Sequence, residues 1–344
     1  MKVLVTGGCG FIGSYTCEYF VKKGAQVIAY DSMTKYELKR TGYDVEAARK
    51  YNLDFLNSLG VCVIKDDIRN LEALMKASKD CGFIVHTAAQ PAMTISWEDP
   101  ALDFSTNLQG TFNVLETARH LDIPMVSCGT IHIYGNKINE NLKEGKTRYF
   151  RNPARIDENH PTVEGTLSPL HASKASGDLY IRTYIDTYKL PLASYRLTGL
   201  YGPRQFGGED HGWVANFVIR TIMKQPLIIY GTGKQVRDIL FATDAAVAFD
   251  AFYQKQKAGI YNIGGDMATR ISLLECIALI EEITDIKPIV EFKPARFGDL
   301  QYFVCDTTKA KNELGWQAKV KPKEGISHLV NWVIENKAIF KTDL

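Results

Sequence analysis

The 344-residue chain has no C-x-x-C pair; its seven cysteines, at positions 9, 17, 62, 81, 128, 276 and 305, are scattered and odd in number. That pattern excludes a disulfide framework and a thiolate zinc site, so no metal is expected, and a reducing, cytoplasmic setting is. Charge of either sign is not in excess: the formal net charge is +2. Neither nucleic acid nor a membrane surface would be drawn to it by bulk electrostatics. No apolar run approaches transmembrane length, and the N-terminus reads as a core strand and not as a signal peptide. Repeats and low-complexity segments are also lacking. What remains is the composition of a globular protein, 45% hydrophobic and 23% charged, with enough chain for a large α/β unit or two lobes.

The first 31 residues carry the clearest pattern. Lys2-Val3-Leu4-Val5-Thr6 is a strand-length apolar run, and Gly7-Gly8-Cys9-Gly10-Phe11-Ile12-Gly13 follows at once. Ser14 to Lys23 reads as a helix, and Gln26 to Tyr30 as a second strand ending on Asp31. Gly7, Gly10 and Gly13, with Phe11 and Ile12 in the same turn, let the backbone approach a pyrophosphate, and the N-terminus of the helix that follows faces its charge. Asp31, with Ser32 beside it, is placed to accept from the adenosine ribose hydroxyls. An acid there, without an adjacent arginine, favours NAD over NADP, because it repels a 2′-phosphate.

Further strands are expected at 61–65, 83–86, 124–128 and 193–197, alternating with helices. Asp67 and Ile68 follow the third strand, where an adenine would lie; Asp67 could also cap the next helix. Ala88 and Ala89, after the fourth strand, let backbone pack on the cofactor. Asp103 to His120 reads as one helix, with Phe104, Leu108, Phe112, Leu115 and Ala118 on its apolar face and Asn107 inside it. A polar loop is expected from Asn136 to Leu167, then a helix from Ser168 to Tyr188. Beyond residue 200 the alternation breaks into shorter elements. The fold class is α/β, a Rossmann-like doubly wound parallel sheet with a smaller mixed α/β substrate lobe. The expected division is a cofactor domain over 1–200, with parts of 235–265 returning to it, and a substrate lobe over 201–344.

The fifth strand ends in Thr130-Ile131-His132-Ile133-Tyr134-Gly135, and Ser168-Pro169-Leu170-His171-Ala172-Ser173-Lys174 comes nearly forty residues later. With the opening glycine turn, these segments resemble the extended short-chain dehydrogenase/reductase superfamily, the nucleotide-sugar epimerases and dehydratases. The resemblance implies that Thr130 is the family's hydrogen-bonding hydroxyl. It implies that Lys174 binds the nicotinamide ribose and lowers the pKa of a tyrosine four residues before it. Here that residue is Leu170, which can neither accept nor donate a proton. His171, His132, Tyr134 and His211 are the candidates to replace it, and His171 is the one carried forward.

Similarity to one subgroup, which epimerises CDP-hexoses at C2, lies in Pro91 to Ser96, Tyr201 to Phe206, His211 to Val214 and Gly231 to Asp238. It implies transient oxidation of a sugar carbon by NAD and return of the hydride to the other face. Arg237 and Arg296 suit a diphosphate, since guanidinium is a planar fork of donors. Asp299 could accept from a ribose hydroxyl, Arg204 could serve a phosphate or the pocket wall, and Thr94 and Ser96, read as loop residues, could touch the sugar. Dehydratases carry an Asp-Glu pair where Ile131-His132 stands here, which disfavours water elimination. An NAD-binding regulatory protein without turnover is the alternative from a different class, and a related nucleotide-sugar dehydratase or oxidoreductase with altered proton transfer is a third. The expected partner is a nucleotide sugar, a CDP-hexose before others. The family pairs through two helices, here the two beginning near Asp103 and Ser168, so a homodimer is expected.

Overall fold

The computed structural model describes residues 1–34 and 41–341. Seven parallel strands form the central sheet. They include β1 (Lys2–Thr6), β2 (Gln26–Asp31), β3 (Cys62–Lys65), β4 (Phe83–His86) and β5 (Met125–Thr130), then Leu192–Leu197 and Gly259–Ile263. The spatial order is β3, β2, β1, β4, β5, then Leu192–Leu197, then Gly259–Ile263 at the edge. The order reverses at β1, so β1 pairs with both β2 and β4. Open parallel sheets bind ligands at such a reversal, outside the carboxyl ends of the strands.

The strands are buried on both faces, as parallel strands under helices must be. Val3, Leu4, Val5, Phe83, Ile84, Val85, Met125 and Val126 are all inaccessible to solvent. On one face Phe20, from α1 (Phe11–Lys22), packs with Phe83 and Phe252. On the other, Leu74, Leu115, Ile181 and Tyr184 cover Leu4 and Ile84.

The stretch expected as one helix from Asp103 is made of three parts. An α-turn spans Pro100–Asp103, a π-helical stretch spans Phe104–Gln109, and an α-helix spans Gly110–Leu121. The wide stretch changes the phase of the apolar face. Asn107 and Thr111 turn inward, while Phe104 and Phe112 are exposed, at 57% and 38%. The next long helix, Pro169–Tyr188, begins one residue later than expected, with Ser168 as its cap.

Beyond residue 200 smaller sheets replace the α/β alternation. Val236–Phe241 pairs antiparallel with Arg270–Ser272 and parallel with Tyr302–Phe303 and Gly199–Tyr201. Leu227–Tyr230 pairs with Val290–Lys293. A second apolar core holds this part together, from Tyr201 and Phe241 through the helices Trp213–Ile222, Leu273–Thr284 and Pro322–Glu335.

Candidate functional site

The glycine turn fits a dinucleotide at backbone level. Gly7 has φ +67°, and a Cβ there would lie 2.7 Å from the backbone of Ala88. A Cβ on Gly13 would lie 2.1 Å from the Gly7 carbonyl oxygen. Neither position can hold a side chain without moving the turn, so α1 starts directly over the end of β1. The N–H groups of its first turn, at Phe11 and Ile12, have no carbonyl partner within the helix. They are available to a phosphate.

The Asp31 carboxylate ends β2 and is anchored from two sides. Oδ2 accepts from the Cys9 N–H at 2.9 Å, and Oδ1 from the Met33 N–H at 2.7 Å. A carboxylate has about four lone-pair sites, so acceptor capacity is left for ribose hydroxyls. Gly7, Gly10, Asp31, Ser32, Asp67, Ile68, Ala88 and Ala89 all line one cleft at the carboxyl ends of β1 to β4. These residues fit NAD, which supplies two-electron oxidation and reduction when bound. Asp67 is not the helix cap; Asn70 caps Leu71–Ser78. Asp67 instead accepts from Arg69 Nε and Nη2 at 2.9 and 2.7 Å. That pairing holds its carboxyl below the usual range despite partial burial.

The side chain of Asn107, expected among the cofactor ligands, bonds within the protein. Nδ2 donates to Gln90 O and Asp103 Oδ1 at 2.9 and 2.8 Å, and Oδ1 accepts from the Gln90 N–H at 2.9 Å. It fixes the loop after β4. Neither Gln90 nor Asp103 was singled out in the sequence. The spacing of Asp103 four residues before Asn107 on a helix was the available signal.

Thr130 closes β5, and its Oγ1 accepts from the His132 N–H at 3.2 Å. Lys174 lies on the facing helix, one turn after Leu170, whose side chain is 4% exposed. Burial pulls the Lys174 ammonium down to about 8, opposed by Asp103 and Cys128.

His171, the expected proton carrier, is wholly buried. Its Nδ1 accepts from the Ser168 N–H at 3.0 Å and meets Ser168 Oγ at 2.8 Å, closing a capping box. The ring nitrogen with the lone pair is therefore spent on the helix cap, which argues against a catalytic role. Its ring meets that of His132 edge to face, with centroids 5.9 Å apart. His132 is pushed down to about 3 by burial, Arg237 and His171. Tyr134 is a core residue bonded to Asn262 Oδ1 and Arg196, and His211 Nε2 meets the Phe206 carbonyl at 3.1 Å.

Of the expected substrate arginines, Arg296 reaches Asp210 Oδ1 at 4.0 Å. Arg237 pairs with Asp299 at 3.3 Å and lies near His132. Asp299 is thus a partner of Arg237 before it is a partner of ribose. Arg296 lies over the Tyr230 ring at 3.9 Å. Arg204 is corrected: its guanidinium is sandwiched between Tyr15 and Phe55, at 3.9 and 4.1 Å, and bonds Glu18 at 2.6 Å. Both faces of the guanidinium are covered, and its Nε and Nη2 clamp α1 through Ser14 and Glu18. Thr94 and Ser96 lie on a short helix, Met93–Glu98, and not in a loop. Ser96 is buried and donates to Met93 O at 2.7 Å, so it is withdrawn as a sugar contact. An exposed aromatic pair joins this helix to the Arg296 loop. Trp97 and Phe297, 41% and 63% exposed, meet edge to face with centroids 6.3 Å apart.

Comparison with known proteins agrees with this geometry. Residues 3–264 match the family described as NAD dependent epimerase/dehydratase. The chain is 33% identical to CDP-paratose 2-epimerase of Salmonella typhi, over 96% of this chain and 99% of that protein. The crystal structure of the UDP-glucose 4-epimerase of Thermus thermophilus in complex with NAD superposes with a TM-score of 0.78 at 31% identity, over 96% of this chain and 98% of that one. That of UDP-glucose 4-epimerase from Thermotoga maritima with UDP-glucose gives 0.81 at 26% identity, over 98% and 100%.

Proposed function

The chain belongs to the NAD-dependent epimerase/dehydratase family, and from that premise we propose that it epimerises a nucleotide sugar, a CDP-hexose at C2. The observation that carries the reading is the cleft lined by Gly7, Gly10, Asp31, Asp67 and Ala88 at the carboxyl ends of β1 to β4, in a sheet whose β5 ends on Thr130. The choice of CDP-hexose and of C2 rests on likeness to the Salmonella typhi protein.

In this reading the glycine turn and Asp31 hold NAD. Thr130 orients the sugar hydroxyl that is oxidised. Arg237 and Arg296 grip the diphosphate as planar donors, and Asp299 sets the angle of Arg237. The absence of carboxylates at Ile131 and His132 leaves no pair to eliminate water, which favours inversion over dehydration. Two copies pair through the faces that expose Phe104, Phe112, Leu179 and Tyr180.

The test is to mix the protein with CDP-, UDP-, GDP- and dTDP-sugars. The expected results are a transient absorbance of reduced cofactor and inversion at C2 with CDP-hexose. Inversion at C4 alone would overturn the C2 assignment, and no turnover across the panel would overturn the reading.

A further inference from the structure

We propose that the cleft between α1 and the helix Pro322–Glu335 is a second ligand site, and that it takes a planar heteroaromatic ring with a carbonyl beside an N–H, the chemistry of an oxo-nucleobase. The cleft shares no lining residue with the one assigned to NAD. Its volume is about 620 Å³, within the ~300–1,000 Å³ of small-molecule sites.

Two helices supply its long walls. Tyr15, Glu18, Tyr19 and Lys22 come from α1, and His328, Asn331, Trp332 and Glu335 from Pro322–Glu335. Each set follows the spacing i, i+3, i+4, i+7, which is one continuous face of a helix. Between the two faces a gap is left. Phe241 and the turn at Pro203 and Arg204 line it as well.

Much of the apolar lining is aromatic. Tyr15 meets Phe241 edge to face with centroids 6.5 Å apart, and the His328 ring lies 5.9 Å from that of Phe241. Trp332 is 7% exposed, and its indole N–H is spent on the Tyr51 hydroxyl at 2.9 Å. Ring walls favour a flat aromatic guest, which pairs with them by stacking or by its edge.

The polar groups divide into spent and unspent. Glu18 is spent: Oε1 accepts from Lys22 Nζ and Oε2 from Arg204 Nη2, both at 2.6 Å. The Tyr19 hydroxyl donates to Asp250 Oδ2 at 2.8 Å. Arg204 is 9% exposed and bonds Ser14 through Nε and Glu18 through Nη2, while Nη1 bonds no group among the described residues. Tyr15 and Phe55 cover both guanidinium faces, so Nη1 is open only at its edge. The Tyr15 hydroxyl has no partner among the described residues and is not sealed from solvent, although the residue is 6% exposed. Asn331 and Glu335, one turn apart and both exposed, have an unengaged amide and an unengaged carboxylate.

Three donors and one acceptor therefore border a space walled by rings. A ring carbonyl accepts from Arg204 Nη1, the Tyr15 hydroxyl or Asn331, and the neighbouring ring N–H donates to Glu335. A phosphate or carboxylate fits less well, because Glu18 and Glu335 border the same space as Arg204 and Lys22. Arg204 also holds φ +66°, a left-handed backbone that side chains avoid and that collects at ligand sites.

The test is 19F NMR on the whole protein loaded with NAD. The probe is 5-fluorouracil, and 4-fluorotoluene is the control ring without carbonyl or N–H. The uracil should bind at least tenfold more tightly than the toluene. Asn331→Trp, at an exposed position, should fill the cleft and weaken the uracil at least tenfold. Asn331→Asp keeps the shape but turns a donor into an acceptor, and should weaken it about fivefold. Excess CDP- or UDP-sugar should leave the uracil signal unchanged. Comparison with 5-fluorouridine tells a nucleoside from a free base as the occupant. Unchanged NAD binding by calorimetry shows that both variants fold. Equal affinity for uracil and toluene overturns the ligand class. No uracil binding, binding unmoved by Asn331→Trp, or displacement by a sugar nucleotide overturns the site. None of these readings needs turnover, so they stand apart from the epimerase reading.

Discussion

At the scale of single residues, the glycine turn makes the sharpest demand. Replacing Gly13 with alanine sets a Cβ 2.1 Å from a backbone oxygen that cannot swing away. Gly13→Ala should cost about 1–3 kcal/mol of stability and weaken NAD at least tenfold, read by denaturation and calorimetry. Asp31 acts through charge instead. Asp31→Ser should lower affinity for NAD and narrow its advantage over NADP, since the repulsion of a 2′-phosphate is gone; an unchanged ratio would count against the ribose assignment. Arg204→Ala removes a guanidinium stacked on two rings and paired to Glu18. It should destabilise by about 2 kcal/mol, seen as a lower melting temperature, and leave the sugar-nucleotide KM nearly unchanged. Gly7, Gly13 and Asp31 were legible in the sequence because their roles are local, within one strand–turn–helix–strand unit. Arg204 was not, because Tyr15 and Phe55 reach it from far along the chain, and no spacing rule links them.

At the scale of elements, the strands were legible and one helix was deceptive. Short apolar runs bounded by turn residues marked β1 to β5 to within a residue or two. The run from Asp103 was read as a regular helix, and a π-helical stretch adds a residue to its turns. That shift brings Asn107 inward to Asp103 and Gln90, and leaves Phe104 and Phe112 outside. Phe112 meets Tyr180 of the helix Pro169–Tyr188 at a centroid distance of 6.0 Å, and Leu179 beside it is 59% exposed. An apolar face shared by two helices is a surface that a second copy would cover. Leu179→Glu with Tyr180→Lys should halve the mass seen by analytical ultracentrifugation. A wild-type protein already sedimenting as a monomer would remove the dimer from the proposed function.

At the scale of the whole molecule, buried titratable groups set how stability follows pH. His86 has its pKa depressed to about 3 by burial. The unfolded chain takes up a proton near pH 6.5 that the folded state refuses, so this contribution is lost as pH falls from about 6.5 toward 3. Asp238 runs the other way. Burial raises its pKa to about 7. The folded state keeps a proton that the unfolded chain releases near pH 4, so this contribution fades as pH rises from about 4 to 7. The two nearly offset each other, and variants separate them. Between pH 7 and pH 5, His86→Gln should remove about 2 kcal/mol of acid-induced destabilisation relative to wild type, measured by urea titration at both pH values. Equal slopes in the two proteins would show that His86 is protonated in the folded state. None of this was legible in the sequence, which shows where a histidine or an aspartate stands but not how far from water the fold carries it.

The meeting of Trp97 with Phe297 gives the protein an optical signal of its own. Of its four tryptophans, Trp316 and Trp332 are 2% and 7% exposed, and Trp213 is packed against the second core. Trp97 is the one left in broad contact with water, on the helix that faces the Arg296 loop. A sugar nucleotide drawn in by Arg296 would displace that water and change the indole's surroundings. Emission should therefore report the arrival of substrate before any chemistry occurs, and Trp97→Phe should silence it without dimming the signal of the buried indoles.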